Sequence, residues 1–427
     1  MKQIIPEVKD GLARQFTGDT QLFLEQLATQ GNDATWYTTA FNPYPFGISP
    51  NEFQTQSKLQ RIVQKAIQYV VTHYFIDTRI QRFISLSESV LSLLEPLYKN
   101  NYVLGCFRPD FLHDIDGNIN ICEINARFPV NGYFISHYIN NLIPSLPYLH
   151  PSLRSIPGLA QVKSVFCQKF IAGSQIGIVK GCEKGWDIFF LDYELNKAGY
   201  TCRLLRPENL QVTEKSLGDL DGVFHYFVLE LHQHELLQTL YSELLQNLST
   251  SCGYFNDLRT IFIAHDKRLL AVFSSEDIMK DYLPQEEAAF LREHVVPTYV
   301  MSQSPEIVEE ALAHPEAWIM KPHLLGKGAG IVFGKFSSPT EWEEIIKEKA
   351  CSEYVLQRYV PQKKFPILTS LNGEVSIIPM HVVGMLPAFD DVFFGSGIYR
   401  ASPKNIVNVS GGGTILFPVL IGDEHAE

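Results

Sequence analysis

The stretch that most constrains this chain is RPDFLHDIDGNINICEIN, residues 108–125. Its centre, Asp116-Gly117, predicts a two-residue hairpin turn, because both residue types tolerate positive φ. With Ile115 facing Asn118, Asp110 falls opposite Glu123 and Arg108 opposite Asn125. Strand side chains alternate, so these four share one face with Leu112 and Ile121. A slip of one residue breaks that arrangement. Opposed carboxylates repel by roughly 0.2–1 kcal/mol, and a divalent cation between them reverses the sign. Two carboxylates and an amide oxygen are hard ligands, suited to Mg²⁺ bridged to phosphate better than to zinc. An exposed hairpin with incidental acids is the plain alternative.

Composition narrows the class. The chain has 427 residues, enough for two or three units with sizeable cores. A net charge of −12 argues against general nucleic-acid or anionic-membrane binding, though not against a local phosphate pocket. Seven scattered cysteines, odd in number and without C-x-x-C, predict reduced thiols and a cytoplasmic location. The N-terminal stretch has no apolar leader core. No run reaches about 18 apolar residues, so no membrane span is expected.

Residues 1–100 read as mainly helical. Leu59, Ile62, Val63, Ala66, Ile67 and Val70 form one stripe, and a second pattern runs from Ile84 to Leu97. Residues 38–53 read as a loop whose aromatics either pack beneath it or line a pocket. Arg127, just past the hairpin, is placed for an anionic substrate or a surface ion pair. Residues 143–160 read as a crossover. Residues 175–230 read as strand, helix, strand: Ile176–Val179, a stripe from Ile188 to Ala198 ended by Gly199, then Thr201–Leu205 and Val223–Leu229. Ligands bind at carboxyl ends of such strands, where Gly181, Gly185, Trp186 and Glu230 fall. His225, His232 and His234 read as structural, since His-x-His alone is weak zinc evidence.

From Asp257 onward the pattern changes. Asp266-Lys267-Arg268 opens a helical stretch, Val295–Tyr299 reads as a strand, and Ser304-Pro305 starts a helix. Lys321 ends the strand WIMK, and glycines 326, 328 and 330 follow, with Lys327 among them. A point charge at a strand end beside a glycine-rich loop is a phosphate-handling device. Ser338 to Glu341 is a capping box, Tyr354–Val360 a strand, and Asn372-Gly373 a second hairpin turn. GKGAG alone is weak evidence and is not a Walker A loop.

Together these residues resemble the ATP-grasp superfamily. Arg108-x-Asp110, Glu123-x-Asn125, Lys267, Lys321, the glycine loop and VLQRYV match its parts, although Gln357 stands where the family often has Glu. The order is inverted, which resembles the circularly permuted group that includes relatives of glutathionylspermidine synthetase. The resemblance implies a permuted α/β (α+β) ATP-grasp fold. It implies units at 1–160 (helical region plus metal-binding half), 161–256 (pre-ATP-grasp-like lobe) and 257–427 (ATP-binding half).

The resemblance also implies roles. ATP would be held by Lys267, Lys321, Gly326, Lys327, Gly328, Gly330, Gln357, Tyr359, Val360, Asn408, Gly411 and Gly412. Mg²⁺, or alternatively Mn²⁺, would sit on Asp110, Glu123 and Asn125. Arg108 and Arg400 would act in catalysis, and Arg127 and Glu230 on substrate. The implied activity is ADP-forming ligation of a small-molecule carboxylate to an amine through an acylphosphate. A small-molecule kinase and a nucleotide-sensing binding protein remain the rivals. The expected partners are small molecules only, with no nucleic acid or membrane, and a homodimer is the candidate assembly.

Overall fold

The structure is a computed structural model that describes residues 1–7, 11–30, 40–213, 216–219, 222–238, 253–371, 373–409 and 411–422. Strands β1 (Cys106–His113) and β2 (Ile119–Asn125) form the expected antiparallel hairpin. Arg108 lies opposite Asn125, and Asp110 opposite Glu123. The path to that register departs from expectation twice. The loop holds three residues, Ile115 to Gly117, because Asp114 N donates to Asn118 O at 3.0 Å and Gly117 takes φ +92°. Asp114 Oδ1 accepts from the backbone N–H groups of Asp116 and Asn118, which fixes this longer loop. Phe111 then pairs with Ile121, and a bulge at Cys122 restores Asp110 to Glu123. The two departures cancel at the acids. Ile121, however, stands opposite Phe111 on the buried face and not beside Asp110.

The N-terminal region is helical, as expected. Helices α1 (Leu12–Ala28) and α2 (Pro50–His73) dominate it, and every member of the Leu59–Val70 stripe is buried. Ser49 and Glu52 close a capping box at the start of α2. The second pattern is shorter than expected: a helix at Glu88–Leu94 and a 3-10 turn at Glu95–Lys99. The loop expected at 38–53 contains a strand, Phe46–Ile48, parallel to Pro418–Leu420 and antiparallel to Lys2–Gln3. Its proline and glycine neighbours masked a short buried run in the sequence. Tyr44 and Phe46 are fully buried, so these aromatics pack and line no pocket. Residues 38 and 39 lie outside the described residues.

After α3 (Tyr133–Leu142) comes a parallel sheet. Its members are β3 (Gln175–Lys180), β4 (Thr201–Leu205), β5 (Tyr226–Glu230) and β6 (Gly253–Phe255), in the order β6-β5-β3-β4. Helix α4 (Asp187–Lys197) crosses from β3 to β4, and Gly199 follows it at φ +90°. The third strand of this sheet begins at Tyr226, since Gly222–Val223 pairs in a separate small sheet.

The remainder carries two sheets. Strands β7 (Thr298–Val300), β8 (Trp318–Pro322), β9 (Val332–Phe333) and β10 (Tyr354–Arg358) order as β7-β10-β8-β9, all antiparallel. Helix α5 (Pro339–Glu348) covers them behind its Ser338–Glu341 capping box, and Trp318, Trp342 and Leu356 form their own core. The helix at Pro305–Ala313 starts where expected, but Ser304 makes no side-chain cap bond. Strands β11 (Lys364–Leu371) and β12 (Glu374–Met385) form a long hairpin whose flanking pair is Leu371 and Glu374. Gly373 takes φ +84°, and Asn372 lies outside the described residues.

Strand β12 lies between β1 and β13 (Tyr399–Ser402), with β14 (Thr414–Leu416) beyond. The early hairpin and the last strands therefore share one sheet. The described cysteines are free thiols, and Cys252 lies outside the described residues. Among the described residues no helix is long and apolar enough to cross a membrane.

Gly384 on β12 lets that sheet close. A Cβ there would lie 2.3 Å from Phe111 Cζ and 2.5 Å from Tyr399 Cε1. Gly384→Ala should overpack the sheet, cost roughly 1–3 kcal/mol and lower Tm. An unchanged melting curve would contradict this packing.

Candidate active site

Asp110 is buried on β1, and two guanidinium groups hold it. Arg108, two residues earlier on the same face, donates from Nε to Oδ1 (2.8 Å) and from Nη2 to Oδ2 (3.0 Å). Arg400, carried by β13, donates from Nη2 to Oδ2 at 2.7 Å. Repulsion between Asp110 and Glu123 is therefore relieved in part by arginine.

Glu123 is the more open acid. Asn125 Nδ2 donates to its Oε1 at 3.2 Å, and Lys267 Nζ lies 3.8 Å from its Oε2. Burial raises this carboxyl, but Lys267, Lys321, Asn125 and Arg400 outweigh burial and hold it at about 2. The donor set fits a hard divalent cation. Asp110 and Glu123 face each other, Glu123 is ionised at neutral pH, and the Asn125 bond spends Nδ2 rather than its oxygen.

The two lysines converge on the same acids. Lys267 is buried, its ammonium donates to Leu325 O, and burial lowers its pKa. Lys321 ends β8 and donates to Gln357 Oε1. Gln357 Nε2 donates to Thr298 Oγ1 (2.9 Å) and to Cys122 O (3.3 Å). Gln357 thus spends its amide on positioning Lys321. Its partner Cys122 is the bulge residue, so the bulge that sets the acidic register also joins the hairpin to β10. Tyr359 and Val360 follow β10 directly, and Tyr359 N donates to Ala317 O at 2.8 Å.

The glycine loop reaches in two directions. Lys327 takes φ +58°, Gly328 +82° and Gly330 +71°. Lys327 Nζ pairs with Glu183 of the parallel lobe at 2.7 Å, and Asn408 Nδ2 donates to Lys327 O at 3.1 Å. Asn408 Oδ1 in turn accepts from Gly411 N, and Gly412 takes φ +91°. A Cβ at Gly326 would stand 3.8 Å from Arg127 Nη2, which brings this loop beside the hairpin exit.

Arg127 is buried, which removes the surface ion-pair alternative. Its Nη1 donates to Gln233 Oε1 at 3.1 Å, and its guanidinium lies 4.5 Å from the Phe128 ring centre. Glu230 ends β5, buried in the parallel lobe.

Two functional groups escaped the sequence reading. His265 Nδ1 accepts from Ala126 N at 3.3 Å, so its Nε2 carries the proton. That Nε2 and Arg127 Nε are both buried and unpartnered among the described residues. They belong to residues that line one cavity with Arg108, Asn125, Asn131 and Tyr133. The position of His265, immediately before Asp266-Lys267, was the available signal. Asp187 is the second group: it accepts from Phe134 N (3.0 Å) and Ile135 N (3.1 Å), capping α3. Gly132 offers α3 no side-chain cap, and that gap implied a distant acid. His232 pairs with Glu183 at 3.3 Å, and Glu235 accepts from the backbone N–H groups of Cys182 and His232; the ligand atoms of Cys182, His232 and Glu235 all lie within 4.8 Å of one another, close enough to share a metal ion.

The Glu123 shift has a pH consequence. A depressed carboxyl adds stability above its unfolded pKa of about 4.3, and that stability is lost as pH falls toward the folded value. Glu123→Gln should flatten the fall of Tm between about pH 4.5 and pH 2. An identical Tm–pH profile would show that the lysines do not act on Glu123.

The family model described as AnkG N-terminal domain matches residues 59–263. The ATP-grasp enzyme ankG of Aspergillus thermomutatus is 29% identical over 428 residues, covering 87% of each chain. A glutathione synthetase-like effector of Globodera pallida, solved in its apo form, superposes with a TM-score of 0.63 at 11% identity, covering 98% of this chain and 99% of that one. The chain therefore has the fold of that glutathione synthetase-like effector, and along most of its length it is similar in sequence to an ATP-grasp enzyme.

Proposed function

We propose that this chain is an ATP-dependent carboxylate–amine ligase that activates its acid as an acylphosphate and releases ADP and phosphate. The observation that carries the proposal is the gathering of Arg108, Arg400, Lys267 and Lys321 around Asp110 and Glu123. Such a centre suits phosphoryl transfer, which needs positioning and charge neutralisation more than a protein nucleophile.

Lys267 and Lys321 bind the ATP phosphates, and Gln357 keeps Lys321 aimed. Gly326, Lys327, Gly328 and Gly330 cover the phosphates, braced by the turn at Asn408, Gly411 and Gly412, while Tyr359 and Val360 flank the base. Asp110, Glu123 and Asn125 would hold Mg²⁺, or Mn²⁺, which supplies charge neutralisation to the phosphate oxygens when bound. Arg127 Nε and His265 Nε2, the unspent donors, orient the acid's carboxylate. That carboxylate attacks the γ-phosphorus and ADP departs. Arg108 and Arg400 stabilise the developing oxyanion, and Arg400 Nε is a further donor unpartnered among the described residues. The amine, having given up its ammonium proton, then attacks the acyl carbon, the C–O bond to phosphate breaks, and the departing phosphate takes the second proton that the nitrogen sheds.

The inverted order of the parts supports a circular permutation, with units at 1–160, 161–256 and 257–427. The sharing of one sheet by β1, β12 and β13 supports that permutation.

With ATP, a candidate acid and hydroxylamine, the protein should form a hydroxamate together with ADP. AMP release would instead place the chemistry in the adenylating class, and a stable phosphorylated product would favour a kinase. Glu123→Gln is the cleaner metal-site variant, because Asp110→Asn leaves two buried guanidiniums uncompensated and should cost about 3–5 kcal/mol. Lys321→Met should weaken ATP binding far more than it lowers the ATP-free Tm, where the loss is that of the Gln357 bond. Unaltered ATP affinity in Lys321→Met would remove that lysine from the nucleotide site.

A further inference from the structure

The topology of the parallel sheet puts its reversal of strand order, where open α/β sheets have their ligand crevice, at the carboxyl ends of β3 and β5. The chain runs from β3 outward to β4, then returns across β3 to place β5 on its other side. Open α/β sheets bind ligands at such a reversal of strand order, outside the carboxyl ends. Lys180 and Glu230, register partners at the tips of β3 and β5, stand at that point.

The charges in the crevice are nearly all committed. Lys180 Nζ donates to the backbone carbonyls of Glu183 and Gly185. Glu183 takes His232 and Lys327, and Asp187 caps α3. Glu230 is the exception. It is 2% exposed, and its Oε2 has no hydrogen-bond partner among the described residues. Left ionised, a buried acceptor without a partner would be costly, so Glu230 on its own favours the protonated carboxyl. Burial drives this carboxyl well above its ordinary range, and Glu183 and Asp187 add to the rise against Lys180 and Arg127. A cation brought to Glu230 would restore its ionised form.

The surroundings set the size and direction of that cation. Gly185 has no side chain, and a Cβ there would already lie 3.5 Å from Glu230 Oε1. A side chain at 185 would stand against that oxygen, so a group bound there has to be compact. Arg127 connects the crevice to the active site: Nη1 bonds Gln233, three residues beyond Glu230, while the same residue lines the cavity beside Arg108 and Asn125. Lys327, held on Glu183, ties the glycine loop to the rim.

We propose that this crevice binds the amine substrate as its ammonium, with Glu230 as the counter-ion. The assignment rests on the ligase reading for the word substrate, but the binding site itself is tested separately. The probes are methylammonium chloride and, as a control without N–H donors, tetramethylammonium chloride. Their affinities are measured by calorimetry on the full chain, wild type, Glu230→Gln and Glu230→Asp, each checked for a folded circular dichroism spectrum. Wild type should prefer methylammonium. Glu230→Gln should bind it at least about tenfold more weakly, and Glu230→Asp should recover part of the loss. Equal affinity for the two cations, or methylammonium binding unaffected by Glu230→Gln, overturns the site. Hydroxamate formation without methylammonium selectivity sinks this proposal and spares the ligase reading. Selective binding at Glu230 without any hydroxamate sinks the ligase reading alone.

Discussion

Asp110 between Arg108 and Arg400 is the interaction on which the site depends. One carboxylate joins an early hairpin to a late strand, 290 positions apart, through direct hydrogen bonds. All three groups are largely withdrawn from water, so each needs the others, and losing one strands the rest. The same device recurs nearby. Asp257 with Arg259 and Asp266 with Arg268 are buried acid–arginine pairs two residues apart. Asp266 also binds His323 at 2.8 Å, and Arg268 reaches Ser85 and Ser352 O. Lys267 therefore sits between two residues locked in place, which gives a flexible side chain a rigid base.

Much of this was legible in the sequence, but not always for the reason given. The opposition of Asp110 and Glu123 was expected from a two-residue turn, and it arises from a three-residue loop compensated by a bulge. Turn chemistry alone could not reveal the bulge, because Cys122 earns its place through a carbonyl bonded to Gln357, 235 positions away. The parallel lobe, the capping box at Ser338 and the stripe of α2 followed from local periodicity, where local and tertiary preferences agree. The strand at Phe46–Ile48 did not, since its pairing partners lie at the opposite end of the chain. His265 and Asp187 left only faint signals for a related reason: each accepts from the backbone of a distant segment.

Two side-chain contacts bring the glycine loop to its neighbours. Lys327 to Glu183 and Arg127 to Gln233 link the glycine loop, the hairpin exit and the parallel lobe. Glycine at 328 and 330, with positive φ at both, lets the loop take this shape. The Lys327 ion pair is exposed on the lysine side and contributes little to stability.

The central claim is that ATP activates a carboxylate through its own oxygen. An acid that supports ADP release, labelled with ¹⁸O in its carboxylate, tests this directly. Ligation through an acylphosphate places one ¹⁸O in the released inorganic phosphate. Phosphate free of label, or label found in AMP, would contradict the mechanism.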